Sequence, residues 1–233
     1  MTRAMKTLLF PTALAVLAAL PAHAQVVQPV PDGTGGLART MEITAPPLPI
    51  AELRVMLDLS GPDGFVGDLY ATLQHESGAF AVLLNRPGRD AGLPDGYGDR
   101  GLRVTFDFYG PDIHTYRDTL GGPPAGGLLT GTWSADGRTA DPADVATGSP
   151  RVALLSSFVG LEPSGEWILF IADVNPGGQV FLNDWSLEIT PIPEPSQGAL
   201  LAGGLGVVFV QRRRRRLRGP GAAEVAGTRA NRP

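Results

Sequence analysis

Between residues 25 and 190 no stretch of this chain sustains a helical period of apolar residues with caps at its ends, while strict alternation returns repeatedly. In residues 52–59, ELRVMLDL, Leu53, Val55, Leu57 and Leu59 fall on one side and Glu52, Arg54, Met56 and Asp58 on the other, the period-two pattern of a strand with one buried face. The same period recurs in residues 68–74, where Leu69, Ala71 and Leu73 share a face, and in Phe80, Val82 and Leu84 after a Ser77-Gly78 turn. It recurs again where Leu102, Val104, Phe106 and Phe108 oppose Arg103, Thr105 and Asp107. Residues 167–172 are almost wholly apolar and read as a buried strand, and residues 180–190 form another after a Pro176-Gly177-Gly178 turn. With Gly and Pro interrupting every ten or so residues, this pattern predicts an all-β fold, a jelly-roll β-sandwich of about eight strands. A body of roughly 165 residues buries about 68–70% of its unfolded surface, enough for one core. We find no internal repeat and no second domain. Two long loops, residues 87–101 and 109–127, follow no strand pattern and are where local function is expected.

The ends differ from this body. Residues 1–24 read as a secretory signal peptide: Arg3 and Lys6 precede the apolar run 8–20, and Ala22-His23-Ala24 is a small-x-small site for signal peptidase. The mature chain is expected to begin at Gln25. The protein has no cysteine, so an exported form must rely on packing, and on any bound ions, in place of disulfides. Residues 25–195 hold nine arginines against twenty-two Asp and Glu, a net charge of −13. Such a body repels phosphate backbones and anionic headgroups, which excludes nucleic acid as a natural partner and favours cations or basic surfaces.

At the other end, residues 198–210 carry no charge, and with Ser196 and Gln197 they make about fifteen residues, or roughly 22 Å of helix. That is a marginal span for a hydrocarbon core roughly 30 Å thick. Arg212, Arg213, Arg214, Arg215 and Arg216, followed by Arg218, keep that end cytoplasmic, each contributing on the order of 1 kcal/mol near an anionic leaflet. Pro191, Pro193 and Pro195 hold the connector extended and present Glu194 to a processing enzyme. Pro193-Glu194-Pro195, a short glycine-rich apolar helix and an arginine cluster together resemble the PEP-CTERM sorting signal of Gram-negative bacteria. The resemblance implies processing by an exosortase, a transient inner-membrane anchor, delivery to the cell surface and an association with exopolysaccharide. The organisation so read is a signal peptide over 1–24, the sandwich over 25–190, the sorting signal over 191–218 and a polar tail over 219–233.

Within the body, Phe65-Val66-Gly67-Asp68-Leu69, then Leu73, Ser77-Gly78 and Leu83-Leu84, resembles the opening strands of P domains, also called P/Homo B domains. Residues 165–169, GEWIL, with Asp173, Gly177-Gly178 and residues 183–187, NDWSL, are similar to their closing strands. Val30-Pro31-Asp32-Gly33 resembles the family's first segment, and Gly131-Thr132-Trp133 stands where an aromatic after glycine is usual. The resemblance covers about residues 30–190. SGPDGF stands where the family tends to carry a histidine. The resemblance implies a jelly roll and a companion role toward subtilisin-like serine endopeptidases such as furin and kexin.

No catalytic residues are assigned. Past the signal peptide only His75 and His114 remain, each read as a solvated loop residue, and no glycine-framed nucleophilic serine is present. Gly96 to Gly101 matches G-x-G-x-x-G, but a loop precedes it and a strand pattern follows, so it is not a dinucleotide site. Asp58, Asp63 and Asp68 crowd one turn and Asp173 and Asp184 another, and Asp136, Asp141 and Asp144 a third loop. Calcium takes six to eight oxygens from such loops, and the P-domain resemblance is compatible with it. Carboxylates that are merely solvated, or that bond their own turn, are the other reading. Trp167 and Trp185 read as core residues, whereas Trp133 is left as an exposed platform for a sugar ring. The function expected is a non-enzymatic, surface-sorted binding or structural module of the envelope or exopolysaccharide matrix. The alternative is an accessory domain that stabilises a separate subtilisin-like protease.

Overall fold

The computed structural model describes residues 20–24 and 27–193. The leader's residues 1–19, and Glu194, Pro195 and the arginines at 212–216, lie outside the described residues. The described body ends at Pro193.

Ten strands stack as two sheets. The first has the order β1 (Leu20–Ala24), β10 (Phe181–Pro191), β4 (Ile50–Ser60), β7 (Gly101–Asp112) and β8 (Leu129–Ser134), with β2 (Gln28–Pro29) also on β10. The second is β3 (Leu37–Ile43), β9 (Gly165–Asp173), β5 (Leu69–His75) and β6 (Phe80–Asn85). Among the described residues the α-helix is a single five-residue turn, α1 (Tyr116–Leu120), and no helix is long and apolar enough to cross a membrane. The all-β sandwich read from the alternation is therefore the fold.

The alternating faces meet in one core. Leu53, Val55, Leu57 and Leu59 of β4, Leu69, Ala71 and Leu73 of β5, and Leu102, Val104 and Phe106 of β7 are all buried. Trp167 packs on Phe158, ring centres 5.1 Å apart, and its indole N–H donates to the Pro163 carbonyl. Trp185 is also fully buried.

Of residues 109–127, read as one long loop, 109–112 continue β7; β7 and β8 pair in parallel, Leu102 facing Leu129 and Phe106 facing Trp133, so residues 113–128 are a crossover. Trp133 consequently lies inside a strand at 3% exposure, with its N–H donating to the Thr130 carbonyl, and is no exposed platform. At the other end, Leu20–Ala24, read as the close of the signal peptide, pairs with β10 from Ala24 opposite Trp185 to Leu20 opposite Ile189. An extended segment here satisfies the backbone groups on the outer edge of β10.

Candidate functional site: an acidic depression

Four chain segments converge at one end of the sandwich, where β4 and β9 finish and β3 and β5 begin. Gly67 makes this possible. A Cβ there would stand 2.4 Å from the Asp95 carbonyl oxygen and 2.6 Å from the Tyr97 nitrogen, so glycine alone lets the 93–97 loop lie against the turn before β5. Gly178, at φ +98°, lets the β9–β10 turn reach Asp63 in the same way, since a Cβ there would be 1.9 Å from the Asp63 carbonyl oxygen. The Gly67-Asp68-Leu69 turn and the end of β9 also pair directly: Leu69 faces Asp173, and the Val174 N–H donates to the Asp68 carbonyl at 2.9 Å. Asp32 joins through its bridge to Asp173 and through its carboxylate, which accepts the Gly177 N–H at 2.9 Å.

The result is an open depression of about 510 Å³, with Asp63, Phe65, Asp68 and Asp95 on one side and Asn175, Pro176, Gly177 and Gly178 on the other. No basic side chain lines it. Asp68 is buried and accepts from Asn175 Nδ2 at 2.6 Å, and Arg86 stands behind it at 3.7 Å. Burial pushes the Asp68 carboxyl up, and Asn175 and Arg86 offset only part of that rise. Asp173, at 2% exposure, is pushed up to about 7, first by burial and then by the charges of Asp68 and Asp32. Its Oδ1 is buried with no hydrogen-bond partner. A buried carboxylate beside two others, with one oxygen unsatisfied, is relieved by a proton or by a cation.

The five carboxylates named for calcium divide between two places. Asp63 and Asp68 line the depression and Asp173 is buried opposite Leu69 beside it, whereas Asp58 and Asp184 face each other across β4 and β10. Asp58 is committed to Arg103 Nε at 2.7 Å and Asn183 Nδ2 at 3.0 Å. Among the described residues no three His, Cys, Asp or Glu side chains are grouped to hold a metal ion. Asp95, which also lines it, and Asp32, bonded to Gly177 beside it, were not singled out from the sequence as ligands.

Neither histidine is solvated. His114 is fully buried, its Nδ1 2.8 Å from Asp136 Oδ2 and its Nε2 3.1 Å from the Arg89 carbonyl oxygen. Asp136 is shared with Arg138 Nη1 at 3.2 Å, and Arg138 also binds Asp112 at 2.8 Å. The Asn85 and Arg151 side chains donate to carbonyl oxygens of the same loop. Both nitrogens of His114 are engaged with internal groups, so it is a tie between loops and not a general base. His75 closes β5, stacks on Trp167 with ring centres 4.6 Å apart, and lies 3.1 Å from the Ser164 carbonyl oxygen. Ser77 Oγ is 2.9 Å from its Nδ1 within the same tight turn. A serine bonded to a histidine two residues away, with no carboxylate behind the ring, closes a turn and does not form a triad.

No protein-family model and no curated protein matches the chain. Among the solved structures similar to it are two of one bacterial protease. One is of the serine protease of Aeromonas sobria in complex with the chaperone ORF2, with a TM-score of 0.42, and the other of the serine protease of Aeromonas sobria, with a TM-score of 0.41. Sequence identity is 16% in both, over 75% and 74% of this chain and 26% of the matched chain in each case. The chain thus spans about a quarter of the length of the chains it matches.

Proposed function

We propose that this chain is a non-catalytic, P-domain-like binding module, exported and sorted to the cell surface, whose working surface is the acidic depression. The observation that carries the reading is the meeting of three motif segments, Val30-Pro31-Asp32-Gly33, Gly67-Asp68-Leu69 and Asp173 with Gly177-Gly178, around one under-compensated carboxylate cluster. A body of net charge −13 with such a cluster attracts cationic ligands and basic surfaces. The signal peptide and the Pro-Glu-Pro, apolar and arginine segments supply the route, in which signal peptidase and an exosortase-type enzyme act in turn and the inner membrane holds the chain transiently.

Two measurements test this reading. Mass spectrometry of the termini of the exported protein is expected to find Gln25 first and the arginine cluster gone, and an intact leader and tail would refute the sorting route. Titration of the purified full-length chain with calcium, and separately with basic peptide, followed by thermal unfolding, is expected to raise Tm for at least one cation. No response to either would refute the binding surface. Peptide hydrolysis lost on Ser77→Ala would refute the non-catalytic assignment.

A second reading is an accessory domain for a separate subtilisin-like serine endopeptidase. The pairing of Leu69 with Asp173, which joins the opening and closing segments on which the P-domain resemblance was read, supports it. It is tested by co-expression with such a protease, whose half-life against heat should lengthen in the presence of this chain.

A further inference from the structure

Among the described residues, the edge of β10 that faces away from β4 is covered by two short strands. β1 lays Leu20–Ala24 along Ile189 to Trp185, and β2 lays Gln28–Pro29 beside Leu182 and Phe181. A cut after Ala24 removes every residue of β1 and leaves β2 in place, so the backbone from Asp184 to Thr190 loses its neighbour on that side. The stretch it bares is regular. Its pairing with β4 runs without a bulge from Asp184 to Thr190, the register shifting just before and just after, and it holds no proline. The other sheet ends are blunted. The loop after β8 bonds the β6 edge, where the Asp136 and Gly137 amides donate to the Leu83 and Val82 carbonyls. β8 turns its Thr130 carbonyl to the Trp133 indole and carries Gly131 at φ +101°, and β3 carries the charges of Arg39 and Glu42.

The side chains of the bared stretch decide what fits it. It is centred on Leu187, and a second copy laid antiparallel across a twofold axis there sets Leu187 opposite Leu187, Trp185 opposite Ile189, Ser186 opposite Glu188 and Asp184 opposite Thr190. Each carboxylate then faces a hydroxyl. Moving the axis to Ser186 would set Asp184 against Glu188, and moving it to Glu188 would set that residue against itself. We propose that, once the leader is removed after Ala24, the bared edge of β10 pairs with the same edge of a second copy, joining the two larger sheets into one. Asp184 Oδ1, buried with no hydrogen-bond partner, then gains the Thr190 hydroxyl of the other copy as a donor. The proposal rests on the export reading above, and it makes β1 a strap that keeps the precursor monomeric.

The test is sedimentation equilibrium of the processed protein isolated from exporting cells, at physiological salt, which screens the repulsion between two acidic bodies. Its amino terminus is read by mass spectrometry. A chain that begins at Gln25 is expected to be a dimer. Ser186→Asp, which sets a carboxylate against Glu188 at both symmetric positions, is expected to weaken the dimer about tenfold, and adding Glu188→Gln to restore it. The variant Ala22→Leu with Ala24→Leu, which retains the leader, is expected to be a monomer in density-matched detergent. A monomer that begins at Gln25, a dimer indifferent to Ser186→Asp, a loss that Glu188→Gln does not restore, or a dimer that retains the leader overturns the proposal and leaves the export reading standing. A leader found intact on the exported protein overturns both.

Discussion

Two of the clusters of buried carboxylates among the described residues are treated in opposite ways. Around Asp136 every charge is answered: His114 and Arg138 bind Asp136, and Arg138 binds Asp112. Burial pushes Asp112 up, but Arg138, the His114 backbone N–H and Arg151 more than offset this and hold it below the ordinary carboxylate range. At the depression, Asp173 faces Asp68 and Asp32 and is driven the other way. The first arrangement ties the long loops of a chain without disulfides to its sheets. The second leaves a buried carboxylate with one oxygen unsatisfied and two like charges beside it.

The contrast can be broken most decisively at Asp136. Asp136→Ala strands the buried Arg138 guanidinium and leaves His114 Nδ1 without a partner, and is expected to cost about 3–5 kcal/mol of unfolding free energy, read by chemical denaturation. A loss under 1 kcal/mol would mean that the network is not a staple. Asp173→Asn should act in the opposite direction, raising stability at pH 8 by about 2 kcal/mol, because it removes a charge the fold does not satisfy. The pH profile sharpens the same point. Above pH 5 the Asp173 carboxyl is ionised in the unfolded chain, whereas the folded protein holds its proton up to about 7, so stability falls as pH rises from 5 to 7 and then levels. The Asp173→Asn variant should lose most of that slope. Asp112, held low, contributes stability that is present above the ordinary carboxylate range and lost as pH falls through its folded value, a decline confined to acid conditions. The smallest effect belongs to the surface: Arg103, largely exposed over Asp58, should change stability by less than about 1 kcal/mol when replaced by alanine.

The strands with clean alternation were legible because burial on one face leaves a two-residue period. β3 was not, because Arg39 stands in the same phase as Leu37, Met41 and Ile43 and hides the apolar face. β8 was missed because its middle, Gly131-Thr132, is exposed and leaves little apolar signal. The histidines were misread for a different reason. Their neighbours in the chain are polar or turn-forming, while the atoms that make burial tolerable come from afar: the Ser164 carbonyl for His75, and Asp136 and the Arg89 carbonyl for His114. The depression was half legible. Asp63, Asp68 and Asp173 stood out as acids at strand ends, but a local reading could not separate them from Asp58 and Asp184, whose partners lie across a sheet. Asp95 was hidden in a glycine-rich loop, and only the close approach at Gly67 brings it in.

The position of β10 carries a consequence for how the chain comes into being. Among the described residues the last strand in chain order, β10, is an interior one, lying between β4 on one side and β1 and β2 on the other. The larger sheet therefore cannot be completed until residues 181–191 have been made, and the edge of β4 that β10 covers stays unpaired until then.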